Sequence, residues 1–221
     1  MRVRSSSVRM WTFGILAFLA VAIGMYALIL YGSPDRLREQ PFTTEKGTLP
    51  ALWYSVLCAH AISAGLALII GWLQFVKKIR HRFPNIHRMI GYFYSAFIVI
   101  GGITGLYLAF YSNGGWSAHL GFAMLSTLWL YTLYRGINSV VMKRDHVEHG
   151  KWMIRNYALS CAAISLRLYT GASAGLLGLM DTNETFVVIA WLCWVPNLFI
   201  AELINSKHKR LQRPYNSEIR Q

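Results

Sequence analysis

The sequence predicts an all-α, polytopic membrane protein with six transmembrane helices, the second to fifth forming a central four-helix bundle flanked by the first and sixth. Three observations predict it. Hydrophobic residues make up 55% of the 221 residues and charged ones only 14%, too apolar a balance for a surface facing water. Six separate runs approach the roughly 20 apolar residues that a spanning helix needs. Lys and Arg gather in segments that, threaded through those six runs, all fall on one side.

The helices are expected at about 10–31, 51–76, 86–111, 116–137, 146–178 and 185–205, within a single transmembrane domain covering 1–221. The first run is too long for a signal-peptide core and has no convincing cleavage site, so it reads as a retained anchor. The second is a long apolar run from Ala51 to Val76. Before the third, Pro84 and Asn85 suit a helix start with Asn85 as cap. The fourth follows the turn Ser112-Asn113-Gly114-Gly115. The fifth opens on Asp145 with Glu148 three residues later, a capping-box pattern. In the sixth, Pro196 and Asn197 mark a local kink. Trp53, Tyr54, Trp72, Trp116, Tyr134 and Trp152 mostly fall near helix ends, as in aromatic belts.

Orientation follows from the basic segments. These carry Arg2, Arg4 and Arg9; Lys77, Lys78, Arg80, Arg82 and Arg88; Arg135, Lys143, Arg144 and Lys151; and Lys207, Lys209, Arg210, Arg213 and Arg220. The opposite side has only Arg36, Arg38 and Lys46, against Asp35, Glu39, Glu45, Asp181 and Glu184. Both termini are therefore expected in the cytoplasm, with the protein in the cell (inner) membrane. The same pattern accounts for the formal charge of +13 without nucleic acid as a partner. Cys58, Cys161 and Cys193 lie in apolar runs, and their odd number argues against a disulfide framework. Loops other than Gly32 to Pro50 are short, so function is expected inside the bundle or at its mouths. No Walker loop, dinucleotide fingerprint, paired-cysteine metal motif or nucleophile elbow is present.

His81, His146 and His208 lie among basic residues and read as solvated. His60, His87, His119 and His149 instead fall in or at the end of four different helices, the second to fifth. Polar groups within spans are costly and face the interior with a partner. His87 and His149 both sit near the start of their helices at the cytoplasmic end. His119 lies near the outer end of its helix, and His60 about 13 Å below the start of its own. The reading is an inner and an outer pair. Helical periodicity extends each face: Asn156, Ser160 and Arg167 from His149, Gly91, Ile98 and Gly105 from His87, and Ser63, Ala64, Ala67 and Gly71 from His60.

Imidazole alone does not choose a metal. No Asp or Glu lies in the middle of the second to fifth helices and no cysteine stands at zinc spacing, whereas bis-histidine haem takes one imidazole from each of two facing helices. Arg167 lies about 27 Å along the axis from His149, near the outer pair, where an anionic haem propionate is one partner and backbone carbonyls or headgroups are others. Arg155 points about 120° from the His149 stripe and ranks lower as a cofactor contact, below Asn156.

Gly71-Trp72-Leu73-Gln74-Phe75, His87-Arg88-Met89-Ile90-Gly91-Tyr92 and His149-Gly150-Lys151-Trp152-Met153-Ile154-Arg155-Asn156-Tyr157, with Arg167, resemble a bacterial family of predicted membrane proteins of unknown function. That resemblance covers the second to fifth helices. The histidine arrangement also resembles the ascorbate-reducible transmembrane di-haem cytochromes b, which have six helices, the first and last peripheral. It implies two b-type haems, the outer ligated by His60 and His119, the inner by His87 and His149, with electrons passing across the lipid bilayer between a donor and an acceptor. No ascorbate-binding motif of that family is present. A non-enzymatic transporter, proton pathway or sensor using the same histidines is the alternative. An enzyme modifying haem or lipid is a weaker one, lacking a nucleophile or acid pair. The sequence leaves enzymatic activity and oligomeric state open.

Overall fold

The computed structural model describes residues 2–33, 37, 43, 49–178 and 182–218. The opposite-side charges Asp35, Arg36, Arg38, Glu39, Glu45, Lys46 and Asp181, on which the orientation argument draws, lie outside them. The helices are α1 (Arg2–Tyr31), α2 (Ala51–Gly71), α3 (Lys77–Arg82), α4 (Pro84–Ala109), α5 (Gly115–Val141), α6 (His146–Ser160), α7 (Ala162–Leu177), α8 (Thr182–Leu192) and α9 (Val195–Glu218). A 3-10 turn, Trp72–Phe75, follows α2.

Among the described residues, four helices are long and apolar enough to cross a membrane: Met10–Tyr31, Leu52–Phe75, Pro84–Ala109 and Asn183–Lys207. The fourth and fifth expected spans differ for physical reasons. α5 has the length, at 27 residues, but carries Ser126, Thr132 and Ser139, all buried. The expected helix over 146–178 comes as two pieces, α6 and α7, of 15 and 16 residues. They meet at Cys161, which keeps right-handed helical φ and ψ (−67° and −7°). α6 and α7 thus form one interrupted helix.

Around the centre, α2 packs on α4, α4 on α5, α5 on α6, and α6 closes back on α2. α2 and α5 therefore lie on one diagonal of the ring, α4 and α6 on the other. α1 lies outside α2, α8 outside α5 and α7, and α9 outside α6, the expected division into a central four and a peripheral pair. Large apolar side chains are exposed around the outside, among them Trp11, Phe18, Tyr92, Ile103 and Phe199. Such a surface suits lipid, where helix association rests on van der Waals contact and hydrogen bonds between close backbones. Gly71 is one such close approach. A Cβ there would come within 2.6 Å of the Tyr157 ring and 2.7 Å of the Tyr94 ring, so its absence admits both rings to the centre.

The helix ends mostly follow local chemistry. Asp145 caps α6 as expected, its carboxylate accepting from the backbone N–H of Val147 (3.0 Å) and Glu148 (2.9 Å). At α4 the cap is Phe83, not Asn85, because Pro84 takes the first helical position, where its missing N–H is no loss. Gly114, at φ +90°, makes the left-handed turn into α5. The expected kink in the sixth span is the break between α8 and α9 at Cys193 and Trp194. Asn197 Nδ2 donates to the Cys193 carbonyl at 3.0 Å there, re-satisfying a freed backbone group.

Candidate functional site

His60 projects from α2 toward α4, and its Nδ1 lies 2.8 Å from the Gly101 carbonyl oxygen. A carbonyl only accepts, so Nδ1 carries the proton and Nε2 keeps a bare lone pair. That lone pair has no hydrogen-bond donor among the described residues. The ring fits because Gly105 has no side chain. A Cβ there would meet Ser126 Oγ at 2.7 Å and His60 Cε1 at 3.0 Å.

His60 lines a partly open cavity of about 480 Å³ among α1, α2, α4, α5, α6, α7 and α8, a volume typical of small-molecule sites. Its walls are mainly apolar, with Tyr31, Ser112, Ser126, Ser160, Arg167 and Thr170 among the polar exceptions. Arg167 donates from Nη2 to the Tyr31 hydroxyl (3.2 Å) and lies 5.5 Å from the centre of the Tyr26 ring. Among the described residues it has no carboxylate partner. A guanidinium in that position is a receptor for an anionic group.

His119 is turned differently. Its Nε2 donates to the Ser112 carbonyl at 3.0 Å and its ring packs on Trp116. Ser112 lines the cavity but His119 does not, so the structure leaves His119 at the rim. The carbonyl that holds it lies just past the end of α4, where backbone oxygens lack helical partners.

At the basic end, His149 repeats the His60 arrangement, with Nδ1 2.8 Å from the Gly136 carbonyl of α5. His87, diagonally opposite on α4, is within electrostatic range of His149. Its Nδ1 is buried without a hydrogen-bond partner among the described residues. These two histidines share the basic end of the ring, each near the start of its helix.

Between the two levels lies a polar network absent from the sequence reading as a unit. The Tyr94 hydroxyl donates to Asn156 Oδ1 at 2.7 Å and lies 3.1 Å from Ser160 Oγ, which also accepts from Trp129 Nε1 at 2.9 Å. Asn156 Nδ2 donates to the Trp129 carbonyl (2.8 Å) and to Thr132 Oγ1 (2.9 Å). Asn156, expected to contact a cofactor, is fully buried and spends its amide tying α4, α5 and α6 together. Arg155, the other lower-ranked contact, reaches outward to the Glu202 carboxylate of α9 (Nη2 to Oε2, 2.9 Å) and stacks 4.4 Å from the Trp152 ring. Tyr94 was findable, since it lies seven residues after His87 on the same helical face.

The donor sets suit haem better than a bare ion. Among the described residues no three His, Cys, Asp or Glu side chains converge, whereas an imidazole held by its Nδ1–H is the form that ligates metal through Nε2. Such an imidazole is present at each end, in His60 and in His149, whereas His119 has its Nε2 on the Ser112 carbonyl. No curated protein and no solved structure matches the chain. The family model described as "Predicted membrane protein (DUF2306)" matches residues 57–205, well over half of the chain. That stretch takes in all four interior histidines, the central network and Arg167, and the chain belongs to this family of predicted membrane proteins.

Proposed function

We propose that the protein is a transmembrane electron carrier of the b-type cytochrome kind, with one haem site on each diagonal of the ring. His87 and His149 serve the inner site, His60 and His119 the outer. The observation that carries the reading is the matching use of Nδ1 by His60 and His149, each donating to a glycine carbonyl of a neighbouring helix. That bond sets the tautomer and aims Nε2. Haem would supply reversible one-electron chemistry at its iron. The chain orients the imidazoles, offers the unused N–H groups of Arg167 to an anionic propionate, and excludes water with apolar walls.

In this reading α5 and the interrupted α6–α7 pair are the fourth and fifth of six crossings, and the basic end is cytoplasmic, in the cell membrane. Electrons enter there from a reduced donor and leave to an acceptor on the other side. An absorption spectrum of the purified protein before and after dithionite tests this. The expected result is an intense Soret band with α and β bands that sharpen on reduction. Featureless spectra, even after expression with added haem precursor, would sink it.

The rim position of His119 favours a second reading, in which a transported or sensed solute occupies the cavity between His60 and Arg167. Replacing His60 by alanine would then alter pH-dependent transport or signalling with no chromophore to lose.

A further inference from the structure

His87 is the exception among the interior histidines. The other three donate a ring N–H to a backbone carbonyl, while His87 Nδ1 is buried and unbonded among the described residues. Its place in the first turn of α4, three residues after Pro84, leaves it no preceding turn of that helix to lean on.

A second unsatisfied atom belongs to Gln74, in the 3-10 turn after α2. Gln74 Nε2 donates to the backbone carbonyl of His87 at 3.1 Å, yet its Oε1 is buried with no partner among the described residues. The local chain is shaped for this approach. Helix α2 tightens at Trp72–Phe75, and Val76 then turns to an extended conformation (φ −74°, ψ 109°), setting the turn beside the start of α4. One turn beyond His87, Gly91 leaves room for the amide, since a Cβ there would be 3.2 Å from Gln74 Nε2. An orphaned acceptor and an orphaned imidazole nitrogen thus sit on two side chains already joined through His87's own carbonyl. Buried polar atoms left over in this way call for a partner.

We propose that Gln74 is a positioning residue for His87, its Oε1 accepting the Nδ1–H once His87 Nε2 is engaged at the inner site. It does for His87 what the Gly136 carbonyl does for His149. The inference rests on the reading of His87 and His149 as haem ligands. Outer-shell acceptors raise the basicity of a ligating imidazole, which favours the more oxidised metal.

The test uses the full chain with His60→Ala as background, so that only the inner site is loaded, and compares Gln74, Gln74→Met and Gln74→Glu by redox titration of the absorption bands. Gln74→Met, which removes the acceptor, should shift the midpoint positive and weaken haem retention about tenfold. Gln74→Glu, a stronger acceptor, should shift the midpoint negative, an opposition that a merely structural role does not produce. Shifts of the same sign, or none, overturn the inference and leave the haem reading standing. A parent protein without haem bands overturns both.

Discussion

Asn156 shows how one polar side chain organises a bundle in lipid. With no water at that depth, an unpaired amide would cost far more than it does at a surface, and both its N–H donors and its carbonyl oxygen are engaged, by Trp129, Thr132 and Tyr94. Asn156→Ala removes one donor each from the Trp129 carbonyl and Thr132 Oγ1, which stay bonded to each other at 3.1 Å, and one of two partners of the Tyr94 hydroxyl. The expected loss is about 1 kcal/mol for each of the three hydrogen bonds removed, read by unfolding in mixed micelles. Two of the five members of this network are legible in the sequence, since Asn156 and Ser160 repeat the helical period from His149. Trp129 is hidden among tryptophans that belong to interfacial belts. The rim position of His119 is not legible, because it depends on which free carbonyl its ring meets.

At the level of elements, the register of α6 decides where His149 stands, and the Asp145 cap fixes that register by taking the N–H groups of Val147 and Glu148. Asp145→Ala should cost about 1 kcal/mol, seen as a lower thermal midpoint with the helix content of the folded state unchanged. Elements that open on Pro, Gly or a capping acid are readable from sequence to within a few residues. The break at Cys161 is not. No proline or glycine marks it, and its backbone stays in the helical region, while the two pieces dock on different neighbours, α6 on α5 and α9, α7 on α1 and α8. α1 starts earlier than its apolar run because the basic tail continues the helix from Arg2, which periodic hydrophobicity cannot reveal.

For the whole molecule, the ring and its diagonals follow from chain order and short connections, both visible in the sequence. The cavity is not, since its shape depends on the small side chains of α2 and α4 facing one another. The proposed orientation is open to a direct check. A fluorescent protein fused after Gln221 should fold and fluoresce in the cytoplasm, and alkaline phosphatase inserted at Asn113 should be active outside it. The reverse pattern would invert the assignment of inner and outer sites. The two-site account itself is tested most directly by counting haem per chain in the parent protein and in His149→Ala and His60→Ala. The account predicts two haems in the parent, one in each single replacement and none in the double. A count that stays unchanged in both single replacements, or a parent protein that carries no haem, would contradict it.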